Sequence, residues 1–189
     1  PCLPHSAAVS SADSADSHSP LTRHHLHANR AKDVAVGNLP VVVQLQCPMA
    51  EFVFKDLVKK SHLEDKFLIQ SAATSNEEAG NPVHIGTKNK LAQYNISTEN
   101  KTSVPIIKSD YDKYDYIIAM EQYNIDGIYR ITGGDPDKKI HLLLDFTQRK
   151  GNIADPWYTG DFDKTYDDIE EGLEGFLKFL NISSEGNNK

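Results

Sequence analysis

The chain has 189 residues, enough for one α/β domain with a hydrophobic core of ordinary size. Hydrophobic residues make up 39% of the chain and charged residues 25%, proportions that are typical of a globular protein in water. The net charge of −7 argues against nucleic acid or an anionic membrane as the main partner. No apolar run approaches the ~18 residues of a transmembrane helix, so we expect no membrane association.

The number of cysteines limits which cellular compartment and which kinds of site we expect. The two cysteines, Cys2 and Cys47, are too few for a disulfide scaffold or for a zinc site with four cysteine ligands. Such usage is typical of a reducing environment, and we therefore expect the protein in the cytoplasm. We expect neither a cofactor nor a bound metal.

Residues 1 to about 31 differ in composition from everything after them. They are rich in Ser, Ala and His, and they hold five of the eight histidines: His5, His18, His24, His25 and His27. A metal-binding tract is one interpretation. A disordered tail is the other, and we favour it because this composition cannot bury enough surface to offset chain entropy. We also expect residues 183–189 to be flexible.

Two short apolar pieces after the tail compete for the place of the first strand. Residues 34–36 (VAV) form one piece, and Val41–Leu45 (VVVQL) forms the other. The second piece has the β-branched, bounded character of a buried strand. If the first piece is the strand instead, residues 37–47 form a long loop.

From Pro48 onward, helices and strands alternate. Pro48 suits the first position of a helix, and the apolar residues after it trace one helical face. We predict further strands at residues 66–71, 114–120 and 140–144, and helices at 83–94, 124–130 and 169–180. This alternation predicts a doubly wound α/β domain over residues 32–182, with a four-stranded parallel sheet and helices on both faces. Ligands bind such sheets beyond the carboxyl ends of the strands, which places a site at the turn before Pro48.

Several short motifs follow one another in a recognisable order. They are residues 48–58 (PMAEFVFKDLV), 71–75 (SAATS), 80–82 (GNP), 115–120 (DYIIAM) with Asn124, and 155–158 (DPWY). In this order and at this spacing the chain resembles the low-molecular-weight protein tyrosine phosphatases over about residues 48 to 180. The resemblance implies a phosphotyrosine-phosphatase-I-like fold. It also implies phosphotyrosine-containing proteins or small aryl phosphates as substrates. We also expect a monomer.

The resemblance implies roles for individual residues. In this family a cysteine on the loop after the first strand attacks phosphorus, and water hydrolyses the resulting phosphocysteine. Asp155 matches the general acid, which protonates the departing tyrosine oxygen and then activates the water. Trp157 and Tyr158 match the aromatic wall that holds the substrate's phenyl ring. Ser71 matches a serine that supports the phosphate loop, and Asn38 resembles the asparagine of a Gly-Asn pair inside that loop.

The catalytic loop itself is missing from the sequence. The family loop reads Cys, five residues, Arg, then Ser or Thr and Pro, and its arginine grips two phosphate oxygens. Counting back from Pro48 places the nucleophile at Pro40 and the arginine at Gln46. Alignment on the Gly-Asn pair at residues 37 and 38 places the nucleophile at Ala35 instead. Neither alignment gives a thiol.

Cys47 does not repair the motif. It stands where the family has Ser or Thr, and no arginine lies six residues after either cysteine. We therefore expect a phosphatase of this family whose own polypeptide is inactive. The alternative is a pseudophosphatase that binds phosphoprotein partners without turnover. Arsenate reduction on a related fold ranks last, because it needs more reactive cysteines than this chain has.

A change of reading frame would account for the missing loop. The codons AAC ATC TGC CGG TCG encode the Asn-Ile-Cys-Arg-Ser of the family loop, and deletion of the bases AT gives AAC CTG CCG GTC G. The shifted frame reads Asn-Leu-Pro-Val, which is the sequence of residues 38–41. We hypothesise that the region before Pro48 is wholly or partly a shifted frame or a mispredicted splice.

Sequencing of the genomic locus around residues 30–48 tests this hypothesis. We expect codons for a Cys-x5-Arg loop in another frame or in a neighbouring exon. An intact, in-frame transcript that encodes residues 37–47 as written would refute it.

Overall fold

Four parallel strands organise the part of the chain that the computed structural model describes, residues 40–75, 77 and 79–182. In chain order they are β1 (Val41–Leu45), β2 (Phe67–Ser71), β3 (Tyr116–Ala119) and β4 (Ile140–Leu142). Their order across the sheet is β2-β1-β3-β4, and each neighbouring pair is parallel. The strand predicted at Val41–Leu45 is therefore confirmed, and it lies between β2 and β3.

The remaining predictions about the chain ends lie outside the described residues. These are the disordered tail at residues 1–31, the alternative strand at residues 34–36, the loop residue Asn38 and the flexible segment at residues 183–189.

Helices cover both faces of the sheet. In the described ranges they are α1 (Pro48–Lys60), α2 (Ile85–Ala92), α3 (Gln122–Thr132), α4 (Pro156–Thr159) and α5 (Phe162–Phe179). Helices α1 and α5 pack on one face, where Val43 and Phe176 are fully buried. Helix α3 covers the other face and packs Ile128 near Ile117. The doubly wound α/β fold is confirmed. No helix in these ranges is both long and apolar enough to cross a membrane.

Capping residues explain where two of the helices begin. Pro48 is the first residue of α1, where its missing N–H costs nothing. Asp161 caps α5 by accepting a 2.9 Å hydrogen bond from the N–H of Lys164. Helix α5 therefore begins at Phe162, well before the start predicted at residue 169. Phe162 and Tyr166 extend the apolar face of Ile169 towards the amino end of the helix.

The strand predicted at residues 140–144 is too long. Leu143–Phe146 forms a 3₁₀ turn. The Asp145 carboxylate accepts a 3.2 Å hydrogen bond from the N–H of Leu142, which turns the chain away from the sheet. The apolar run continues through the turn because Leu143 and Leu144 are buried in the core.

The central strand β1 carries a polar residue where its position demands an apolar one. Gln44 is 0% exposed, yet neither atom of its side-chain amide has a hydrogen-bond partner in the described structure. The side-chain amide of Gln46, just after the strand, is also buried without a partner there. A buried polar group without a partner costs about 1–3 kcal/mol. These two glutamines therefore destabilise the segment that contains them.

Replacement of Gln44 by leucine should stabilise the protein. Gln44→Leu removes two unpartnered polar atoms at nearly constant side-chain volume. We expect the free energy of unfolding to rise by about 1–3 kcal/mol. Urea denaturation followed by circular dichroism measures the change.

Gln70→Leu is the matched control. Gln70 is the register partner of Gln44 on β2, but its Oε1 accepts a 2.6 Å hydrogen bond from the Tyr114 hydroxyl. Its replacement leaves that hydroxyl without its acceptor, so we expect no gain or a loss of stability. An equal rise in the free energy of unfolding in Gln44→Leu and Gln70→Leu would contradict the conclusion that the unpartnered amide of Gln44 destabilises the protein.

Candidate active site

Three of the sequence motifs meet at the carboxyl edge of the sheet. Helix α1 begins directly after β1, and Ser71 is the last residue of β2. The N–H of Ile153 donates a 2.8 Å hydrogen bond to the carbonyl of Met120, just beyond β3, which brings the segment before Asp155 to the same edge. A site in this place agrees with the general rule for parallel sheets.

The connection from β1 to α1 consists of two residues, Gln46 and Cys47. Gln46 still follows the sheet, because its backbone N–H donates to the carbonyl of Ile118 at 3.0 Å. The carbonyl of Cys47 already accepts the N–H of Glu51 at 3.1 Å, which closes the first turn of α1. The chain therefore passes from strand to helix without a loop that could enclose a phosphate.

The surroundings of Cys47 do not favour a thiolate. Burial raises the pKa of its thiol above the ordinary value. The backbone N–H groups of Ala50 and Met49 lower the pKa but do not offset burial, and the charge of Asp155 raises it further. The thiol is therefore protonated at neutral pH, whereas a cysteine nucleophile must be ionised.

The short helix α4 presents Asp155, Trp157 and Tyr158 at the surface. Asp155 is the capping residue, and its Oδ1 accepts the N–H of Trp157 at 2.9 Å. The side chains of Trp157 and Tyr158 are exposed, with 63% and 86% of their surface accessible. The exposed indole and phenol rings can pack against a flat aromatic group of a ligand, and the Asp155 carboxyl group lies on the same short helix start.

Ser71 belongs to a buried ion cluster that joins β2 to α1. Its hydroxyl donates to Oε2 of Glu51 at 2.5 Å, and Nζ of Lys101 lies 2.6 Å from the same oxygen. Lys55 reaches Oε1 of Glu51 at 2.5 Å. Burial alone would raise the pKa of this carboxyl, but hydrogen bonds from Lys101, Lys55 and Ser71 lower it below the ordinary value. Glu51 is therefore an anion that ties Ser71 to the first turn of α1.

Neither these lysines nor the arginines of the described part are free to bind a phosphate at this edge. Lys101 and Lys55 are paired with Glu51. Arg149 binds Asp168 and Glu171 on α5, and Arg130 lies in the last turn of α3. Within the same part, no group of three or more His, Cys, Asp or Glu side chains could hold a metal ion.

Comparison with known proteins identifies the family. Residues 42–185 match the family model described as low molecular weight phosphotyrosine protein phosphatase. The low molecular weight protein-tyrosine-phosphatase YfkJ of Bacillus subtilis is 34% identical over 146 residues, which cover 76% of this chain and 90% of that protein. This chain belongs to the low-molecular-weight protein tyrosine phosphatase family.

Solved structures of this family agree with the fold. The crystal structure of YfkJ superposes with a TM-score of 0.72 at 32% identity, over 77% of this chain and 97% of that one. A low molecular weight protein tyrosine phosphatase from Streptococcus pyogenes, 36% identical, superposes with a TM-score of 0.64 over 74% of this chain and 91% of that one.

Two residues separate β1 from α1 at the centre of the carboxyl edge of the sheet, and the matched residues Ser71 and Asp155 lie on neighbouring segments. The Cys-x5-Arg loop with its following Ser or Thr needs eight residues between the first strand and the first helix, where Gln46 and Cys47 stand here. Asp155 is close enough to the amino end of α1 for its charge to act on Cys47. The roles of Asp155 and of the other matched residues stay predictions.

For two residues beside the site, Glu51 and His84, the sequence predicted no role. Glu51 lies within the motif that begins at Pro48, and a carboxylate among the apolar residues of that helix was the available signal. His84 lies 4.6 Å from Trp157, measured between ring centroids. Nothing in the local sequence indicates this contact, because the two rings are far apart along the chain.

The thiol of Cys47 should be slow to alkylate in the folded protein. Since the thiolate is the reactive form and the pKa is raised, we expect iodoacetamide to react more slowly than with free cysteine at mildly alkaline pH. The rate should rise only as the pH passes the ordinary range of thiol titration. Peptide-resolved mass spectrometry distinguishes Cys47 from Cys2.

Asp155→Asn should accelerate this reaction, because it removes a charge that raises the pKa of Cys47. Asparagine is also a good capping residue, so the start of α4 is preserved. Asp161→Asn is the matched control, a second capping aspartate that does not act on the thiol, and it should leave the rate unchanged. Rapid alkylation of folded wild-type protein at neutral pH would contradict the protonated thiol.

Proposed function

We propose that this polypeptide is a tyrosine phosphatase scaffold that does not hydrolyse phosphate monoesters by itself. The observation that supports the proposal most directly is the two-residue connection between β1 and α1. Covalent catalysis in this family needs a thiolate among backbone N–H groups and a guanidinium fork on the phosphate. Cys47 has a raised pKa, and Gln46 carries no charge, so the connection supplies neither group.

The rest of the site suits the family's reaction, hydrolysis of a phosphomonoester through a phosphocysteine. With a family loop in place, Asp155 would protonate the departing tyrosine oxygen and then activate the water. Trp157 and Tyr158 contact the ring of a phosphotyrosine-containing protein or a small aryl phosphate. Ser71, held by its bond to Glu51, would support such a loop.

Binding without turnover is the second candidate. The exposure of Trp157 and Tyr158 favours it, because aromatic side chains are enriched at protein interfaces. Titration with a phosphotyrosine peptide and with its unphosphorylated form tests this candidate. A pseudophosphatase that recognises phosphate binds the phosphorylated peptide more tightly, whereas a scaffold that contacts only the ring binds both peptides equally. We also expect a cytoplasmic monomer, which cell fractionation and gel filtration would check.

The purified chain should not hydrolyse a small aryl phosphate above background. Without its nucleophile the covalent route is closed, and loss of such a residue costs on the order of 10⁴-fold or more in rate. The measurement is release of the phenol from an aryl phosphate, with and without prior alkylation of Cys47. Clear turnover that survives alkylation would overturn the proposal.

Insertion of a family loop should restore hydrolysis. Replacement of Gln46 and Cys47 by Cys-Leu-Gly-Asn-Ile-Cys-Arg-Ser places the loop between β1 and α1 and leaves Asp155, Trp157 and Tyr158 untouched. The new thiolate would gain a low pKa from the loop amides and from the amino end of α1. The same insert with serine for its first cysteine is the matched control and should be inert.

Asp155→Asn in the grafted chain then tests the general acid. We expect a loss on the order of 10²–10⁴-fold, greatest for substrates with poor leaving groups, since these need protonation most. Asp161→Asn should have little effect, because Asp161 only caps α5. A grafted chain that folds but remains inert would show damage beyond the loop and would favour the binding candidate. An unchanged rate in Asp155→Asn would assign the acid to another residue.

A further inference from the structure

Trp157 is largely exposed, and in the described structure its aromatic neighbour is His84. The two ring centroids lie 4.6 Å apart with an interplanar angle of 55°. His84 also stacks on Phe162, with centroids 5.6 Å apart and an interplanar angle of 7°. The imidazole therefore joins α4, which carries Trp157, to the first residue of α5.

The orientation of the His84 ring is determined by its own backbone segment. His84 is the capping residue of α2, and its Nδ1 accepts the N–H of Gly86 at 3.2 Å. Gly86 also makes room for the stack, since a Cβ at this position would come within 2.2 Å of the Phe162 ring. The start of α2 thus places the His84 ring between the side chains of Trp157 and Phe162.

The same helix is anchored to α5 at a second level. Nζ of Lys90, which is 7% exposed, lies 2.7 Å from the Asp163 carboxylate. Tyr94 stacks on Tyr166 with ring centroids 4.1 Å apart. Helices α2 and α5 are therefore packed together at two levels, and the His84 ring extends from the start of α2 to Trp157.

We propose that His84 is a positioning residue for the aromatic wall, and that its ring holds Trp157 in the orientation on which an aryl group packs. The functional meaning rests on the proposed assignment of Trp157 to that wall. His84 acts through Trp157 and does not touch the reacting atoms. A flat ring with a fixed cap suits this task, because it offers a stacking surface at little cost in side-chain entropy.

The protein reports on this contact directly, because Trp157 is its single tryptophan. Fluorescence excited at the red edge of the indole band, where tyrosine does not absorb, comes from Trp157 alone. Steady-state anisotropy measures its local motion, and acrylamide quenching measures its access to solvent. Neither measurement requires catalytic activity.

Two variants separate the ring of His84 from its capping bond. His84→Asn keeps an acceptor for the N–H of Gly86 but removes the ring. We expect lower anisotropy and a larger quenching constant for Trp157. His84→Phe keeps a ring but removes the acceptor, and we expect both values to stay close to those of the wild type. His84→Ser is a second ring-free variant if the asparagine protein does not fold.

Tyr94→Asn is the matched control. It removes a stacked ring just beyond the other end of α2 and does not touch Trp157, so the fluorescence should be unchanged. Ring-free variants that fold and retain wild-type anisotropy and quenching would overturn the proposal. It would also be overturned if His84→Phe behaved like His84→Asn, because the capping bond would then hold Trp157.

The grafted chain supplies the kinetic readout. There His84→Asn should raise KM for an aryl phosphate more than for an alkyl phosphate, with a smaller effect on kcat. An equal effect on both substrates would contradict a role in holding the aryl group. If the graft itself is inert, the fluorescence measurements still decide whether His84 holds Trp157, so the two proposals fail in different experiments.

Discussion

A strand that is buried on both faces of a parallel sheet needs apolar side chains on both, and β1 satisfies this requirement completely on one face only. Val41, Val43 and Leu45 pack with α1 and α5. By the alternation of a strand, Gln44 lies on the opposite face, where it is buried without a partner in the described structure. The register of β1 also determines where α1 can begin. The geometry of the whole carboxyl edge depends on this one strand.

The sequence predicted the fold well because its signals are local. The β-branched run at Val41–Leu45 and the proline at residue 48 each indicate an element within a few residues. The ends of helices and strands that depend on side-chain hydrogen bonds were predicted less well. The Asp145 carboxylate turns the chain in a way that hydrophobic periodicity does not record. The Asp161 cap marks the start of α5 before the predicted residue 169.

The site was predictable only where a motif marked it. The motif at residues 155–158 predicts roles for Asp155 and its aromatic neighbours, and the missing Cys-x5-Arg loop is visible as a missing cysteine and arginine. The contacts of Glu51 and His84 were not visible, because each joins segments that are distant in sequence. Such contacts arise from tertiary packing, and a single sequence carries no local signal for them.

The flanks of the site are held by contacts that do not involve the phosphate loop. Glu51 is bonded to Ser71 and Lys101, so its lowered pKa stabilises the fold above the ordinary pKa of the carboxyl. That contribution is lost as the pH falls through the lowered value. Asp155 accepts the capping bond from the N–H of Trp157, and the Trp157 ring lies 4.6 Å from the ring of His84, measured between centroids. None of these interactions needs a bound anion or a loop to form.

The amino end of α1 is likewise satisfied without a phosphate. Pro48 removes one of the N–H groups that a helix start leaves unpaired, and those of Met49 and Ala50 face the thiol of Cys47. Shortening the loop therefore does not leave the helix with a row of buried donors. The unpartnered polar groups of this region are instead the side-chain amides of Gln44 and Gln46. The fold at this edge therefore does not depend on a phosphate loop, which is why a scaffold of this family can keep Asp155, Trp157 and Tyr158 at the same edge without one.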